Sequence, residues 1–142
     1  MFTKIMVPID LAHATRQMSA LEVAADLAEH YGAELVYAAV TASTPGPMGH
    51  NPEEFAANLG KFAQRQAESH NFKASSHAVV SHDPAVELDN ALLKAREEIG
   101  ADLVVMASHV PGIADYLLPS HGGRMASHAG VSVMVVREKD EQ

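Results

Sequence analysis

Ile5-Met6-Val7-Pro8-Ile9-Asp10 is five consecutive apolar residues closed by a carboxylate. A short run that is apolar throughout, with no alternation, is the pattern of a strand covered on both faces, as in a parallel sheet sandwiched between helices. Four more such runs lie downstream, at 35–40, 72–81, 103–107 and 131–136. The 72–81 run is the least hydrophobic and is therefore expected at the periphery. Between the runs the spacing changes to three and four residues. Met18, Leu21, Ala25 and Ala28 make an apolar stripe on a helix expected over 15–31, stopped by Gly32. Pro52-Glu53-Glu54 opens a second helix, with Phe55, Leu59 and Phe62 facing the core. Asp83-Pro84 caps and starts a third, carrying Leu88, Leu92, Ala95 and Ile99 and ending at Gly100. A short fourth helix is expected from Ser120 to Gly130, after an irregular stretch over 108–119. Helical connections between consecutive apolar strands favour parallel pairing with right-handed crossovers, hence one doubly wound α/β domain spanning 1–142.

Composition narrows the function. A chain of 142 residues, 47% hydrophobic and 20% charged, can bury a core without metal or disulfide staples. The absence of cysteine excludes disulfides, thiolate metal sites and thiol nucleophiles. Eighteen acidic against ten basic residues leave a net charge of −8, the wrong balance for gripping nucleic acid or an anionic membrane. The apolar opening is too short for a signal peptide, and no apolar run could span a bilayer, so the expected address is the cytoplasm. The end at 138–142 reads as a solvated, charged tail.

Open parallel sheets bind ligands beyond the carboxyl ends of their strands. Asp10 occupies that position after the first strand. Its carboxylate could accept sugar hydroxyls, hold a hydrated cation or act as a base; it could equally cap the next helix. Met106-Ala107-Ser108-His109 ends the fourth strand. Ser120-His121-Gly122-Gly123-Arg124, if it opens a helix, offers free N–H groups and a positive dipole end to an anion. The nine histidines lack the spacing of a zinc helix, so no metal site is expected. P-loop, G-x-G-x-x-G and G-x-S-x-G motifs are absent. Met48, within Gly46-Pro47-Met48-Gly49, reads as part of a mobile loop rather than as a ligand-binding residue.

Taken together these blocks resemble the universal stress protein family. The opening Val7-Pro8-Ile9-Asp10, Asp83-Pro84-Ala85 before a helix, Ala101-Asp102-Leu103-Val104-Val105-Met106, and the ending from His128 to Arg137 are similar to that family's blocks in order and spacing. The resemblance implies a Rossmann-like five-stranded parallel sheet in the order 3-2-1-4-5, with helices on both faces. Many members bind ATP or AMP through G-x2-G-x9-G-[ST] after the fourth strand. Here Ala107, Val110 and Pro119 stand at the glycine positions and only Ser120 matches. The run Ala107-Ser108-His109-Val110-Pro111 followed by Tyr116-Leu117-Leu118 is closer to the subgroup reading A-S-H-x-P.

The resemblance implies a site in which Pro8, Ile9, Asp10 and Val40 take adenosine. Ser108, His109, Ser120, His121 and Gly122 would take the phosphates, with Met106 and Ala107 also counted among the nucleotide-binding residues and Mg accompanying ATP. It also implies a homodimer through strand 131–136, an apolar edge without charge or proline. The expected function is a nucleotide-responsive regulator, not an enzyme, with an unknown protein partner. A ligand-independent interaction module is the alternative; slow nucleotide hydrolysis, lacking a paired base and nucleophile, comes third.

Overall fold

β1 (Lys4–Pro8), β2 (Glu34–Ala42), β3 (Ala74–Ser81), β4 (Leu103–Ala107) and β5 (Ser132–Val136) pair in parallel in the order β3-β2-β1-β4-β5. This is the order the resemblance implied. The structure, a computed structural model, describes residues 1–108 and 119–138, with the side chains of Ala85 and of residues 119–122 outside that description. Four helices flank the sheet: α1 (Met18–Tyr31), α2 (Pro52–Ser69), α3 (Pro84–Ile99) and α4 (Pro119–His128).

Side-chain alternation along the strands sorts the core into two layers. Ile5, Val7, Leu35, Tyr37, Leu103 and Val105 face one way and pack with Leu21, Ala24 and Ala28 of α1 and with Phe55, Leu59 and Phe62 of α2. Met6, Ala38, Val104 and Met106 face the other way, against Leu92 and Ala95 of α3 and Met125 of α4. The apolar runs of β1, β2 and β4 are thus strands buried on both faces, whereas β3 and β5 at the two ends of the strand order are only partly buried. Gly32 and Gly100 end α1 and α3 in the left-handed conformation, at φ 67° and 76°. Asn51 and Asp83 cap α2 and α3 by accepting the N–H groups of Glu54 and Val86.

Four expectations change in detail. The first helix is two pieces, a 3-10 helix over Leu11–Gln17 followed by α1. Met18, at the first position of α1, is 48% exposed and leaves the apolar stripe to Leu21, Ala25 and Ala28. β3 starts at Ala74, because Phe72 is drawn into a stack on His70 instead. The tail residue Glu138 is not a solvated end: its carboxylate accepts the N–H groups of Ser19 and Ala20 at 2.9 and 3.1 Å.

The ladder between β1 and β4 is shorter than that between β1 and β2. Odd residues of β1 face β2, as the bonds from Ile9 N–H to Ala38 C=O and from Glu34 N–H to Thr3 C=O show. Even residues face β4, as in Asp102 N–H to Lys4 C=O. Pro8 therefore faces β4 at the one place where the ladder needs an N–H, and proline has none. The paired register runs over Ile5–Leu103 and Met6–Val104, whereas β1 and β2 stay paired to Pro8–Ala38. The β1–β4 ladder thus ends two residues before the β1–β2 ladder.

Candidate functional site

A cavity of about 270 Å³ lies at the carboxyl ends of β1 and β2, walled by Pro8, Ile9 and Asp10, by Val40 and the 41–49 connection, and by Pro84, Leu88 and Leu92 of α3. It is at the small end for ligand clefts, which run from roughly 300 Å³ upward. Asp10 is the only ionisable residue among the described lining, and no cation joins it. Thr41 and Thr44 add hydroxyls; the remaining lining side chains are apolar or absent. Such a chamber suits the neutral part of a ligand, with a single carboxylate to accept hydrogen bonds.

Asp10 is held from three sides. Its N–H donates to Gln17 Oε1 at 2.8 Å, and Gln17 is 1% exposed, so this anchor is shielded from water. Its Oδ1 accepts the Ala12 N–H at 3.2 Å, capping the 3-10 helix. His13 Nδ1 approaches the same Oδ1 at 3.4 Å, without hydrogen-bond geometry. Asp10 is thus both a cap and a cavity residue: Oδ1 serves the turn, and the carboxylate still lines the chamber. Val40 offers backbone. Ala38 faces β1, so Val40, two residues on, turns its N–H and C=O to the same side, where β1 has already ended.

Pro8, Ile9, Asp10 and Val40 are brought together around the cavity. The β4 residues are placed differently. Met106 sits in the core layer beneath α3 and α4, Ala107 is buried, and Ser108 donates its N–H to Val136 C=O at 2.8 Å. None of the three is among the described residues lining the cavity, and the β1–β4 register stops at Met6–Val104. His109 and Val110 lie outside the described residues. Ser120, His121 and Gly122 fall in the first turns of α4, which starts at Pro119. No group of three metal-ligating side chains occurs among the described residues.

The cavity also recruits Thr41, Thr44, Phe55 and Leu88, which the sequence did not place in a site, and Met48, which it assigned to a mobile loop. Their signal was positional, since 41–49 directly follows a strand's carboxyl end. The 46–49 segment, expected to be mobile, is tied down: Gly46 and Gly49 exchange two backbone hydrogen bonds, and Asn58 Nδ2 donates to Met48 C=O at 2.7 Å.

Comparison with known proteins agrees with this architecture. Residues 1–137 match the Universal stress protein family. The chain is similar to Universal stress protein G of Shigella flexneri, 28% identical over 149 residues that cover 96% of this chain and 100% of the relative. Among solved structures it resembles a universal stress protein in complex with cAMP, at a TM-score of 0.67 and 21% identity, covering 97% and 98% of the two chains. It also resembles an Arabidopsis thaliana universal stress protein family protein with AMP bound, at a TM-score of 0.63 and 15% identity, covering 96% and 92%. With almost its whole length matched and the sheet order in agreement, the chain belongs to the universal stress protein family.

Proposed function

We propose that this protein is a cytoplasmic, non-catalytic regulator that binds an adenine nucleotide, AMP or ATP, at the carboxyl ends of β1 and β4. Its occupancy would alter pairing with a partner protein or with a second copy through β5. The observation that carries the reading is the cavity itself: an apolar chamber at the strand ends in which Asp10 is the one ionisable group. The AMP and cAMP carried by two structural relatives support it.

In this reading Pro8, Ile9 and Val40 border the adenine, with Val40 backbone groups serving its polar edge, and Asp10 accepts ribose hydroxyls. The phosphates leave the chamber toward Ser108, His109, Ser120, His121 and Gly122, with Met106 and Ala107 contributing backbone at the end of β4 and Mg accompanying ATP. Pro119 at the start of α4 supplies no N–H, so the phosphate end has one donor fewer than a glycine would give. A hydrogen bond to a charged group is worth about 1.5–3 kcal/mol, so one lost donor lowers affinity roughly ten- to a hundredfold.

Mass spectrometry of the denatured protein should detect a co-purified adenine nucleotide. Calorimetry should then give similar affinities for adenosine, AMP and ATP, with the phosphates adding little. Asp10→Ala should weaken all three roughly tenfold or more. A wild type that binds none of them at millimolar concentration rejects the reading in favour of a ligand-independent interaction module.

A further inference from the structure

The connection from β2 to α2 forms one wall of the cavity, and three restraints converge on its central residue. The Gly46 N–H donates to Gly49 C=O at 3.0 Å and the Gly49 N–H to Gly46 C=O at 3.3 Å, closing a tight turn around Pro47 and Met48. Asn58, one turn beyond Phe55 on α2, donates Nδ2 to Met48 C=O at 2.7 Å. Gly49 lies so close to α2 that a Cβ there would sit 2.6 Å from the Phe55 backbone nitrogen, so only glycine allows this approach. The Met48 side chain, carried on this restrained backbone, packs against the core layer of α1 and α2 and lines the cavity. A thioether is soft and polarizable and contacts aromatic rings favourably. No described lining residue is aromatic except Phe55.

We propose that Met48 is the base-contacting residue of the chamber. Asn58 is a positioning residue that acts through it. The inference rests on the nucleotide reading and adds to it the wall against which the heteroaromatic base lies. A methionine contact with a ring is worth about 0.3–1.5 kcal/mol, which converts to as much as a tenfold change in affinity.

The test is calorimetry with adenosine, supported by the ε-methyl NMR signal of Met48 in methionine-labelled protein. Met48→Ala should weaken adenosine binding about three- to tenfold, and Met48→Leu, which keeps the volume, should weaken it less. Asn58→Asp is nearly isosteric but cannot donate. It should reproduce the loss in the wild-type background and add nothing in the Met48→Ala background, because both act through one contact. Adenosine should shift the Met48 ε-methyl resonance. If the wild type binds adenosine and responds to Asp10→Ala, but Met48→Ala binds equally well and the methyl does not shift, the inference is overturned and the site reading stands. Additive losses from Asn58→Asp and Met48→Ala overturn the positioning role. A wild type that ignores adenosine overturns both readings.

Discussion

Asp102 and Pro8 act at opposite ends of the same pair of strands. Asp102 accepts the Thr3 N–H at 2.9 Å, the Lys4 N–H at 3.1 Å and the Thr3 hydroxyl at 3.0 Å, closing β1 onto β4 at the amino ends. Pro8 withholds the donor that would close them at the carboxyl ends. Burial works against ionisation of Asp102, but the Thr3 and Lys4 donors outweigh it and hold its carboxyl below the ordinary range. A carboxyl whose value is lower in the folded chain contributes stability above its unfolded value, near pH 4. It loses that contribution as the pH falls through the folded value. Asp102→Asn should therefore melt below the wild type at pH 7, and the gap should close progressively below about pH 4. Melting curves recorded across that range check it; a gap independent of pH would assign the loss to packing instead.

At the level of elements, the start of α1 is capped from the far end of the chain. Gln17, at the N-cap position, gives no side-chain cap, and the N–H groups of Ser19 and Ala20 are taken by Glu138. A carboxylate at that end meets both the free donors and the positive dipole. The two donors it accepts follow closely on Gln17, whose side chain takes the Asp10 N–H. Glu138→Ala should cost about 1 kcal/mol of stability and speed amide exchange at Ser19 and Ala20. Hydrogen exchange followed by NMR reads both amides. Unchanged exchange would show that the cap contributes nothing in solution.

For the whole molecule, the two sheet edges differ. β3 presents Ser75, Ser76 and a His77–Glu98 pair at 3.0 Å beside a single exposed apolar side chain, Val80, 50% exposed. β5 presents Met134 and Val135, each 41% exposed, on the last strand of the sheet among the described residues. We expect a homodimer across β5. Val133 packs toward the α3–α4 layer, so it probes the core as well as the edge. Met134→Lys with Val135→Lys is the cleaner test, and light scattering should show a folded monomer. A dimer that survives both lysines would place the interface elsewhere.

The strands, their parallel pairing and the position of Asp10 were legible in the sequence, because each rests on local pattern: apolar runs with no alternation, helical spacing between them, and a carboxylate just past the first run. The strand order came only through family resemblance, since periodicity is the same whichever neighbours a strand takes. Other features could be decided only by tertiary structure. That Glu138 caps α1 depends on residues 119 positions apart meeting in space. That Met48 is a wall residue depends on a hydrogen bond from Asn58 and on a glycine pressed against α2. That Pro8 leaves the β1–β4 ladder one donor short depends on which neighbour its missing N–H would face, and the parity of the ladder sets this. Local composition encodes which elements form; the chemistry at their ends is set by contacts between distant segments, which no window of sequence contains.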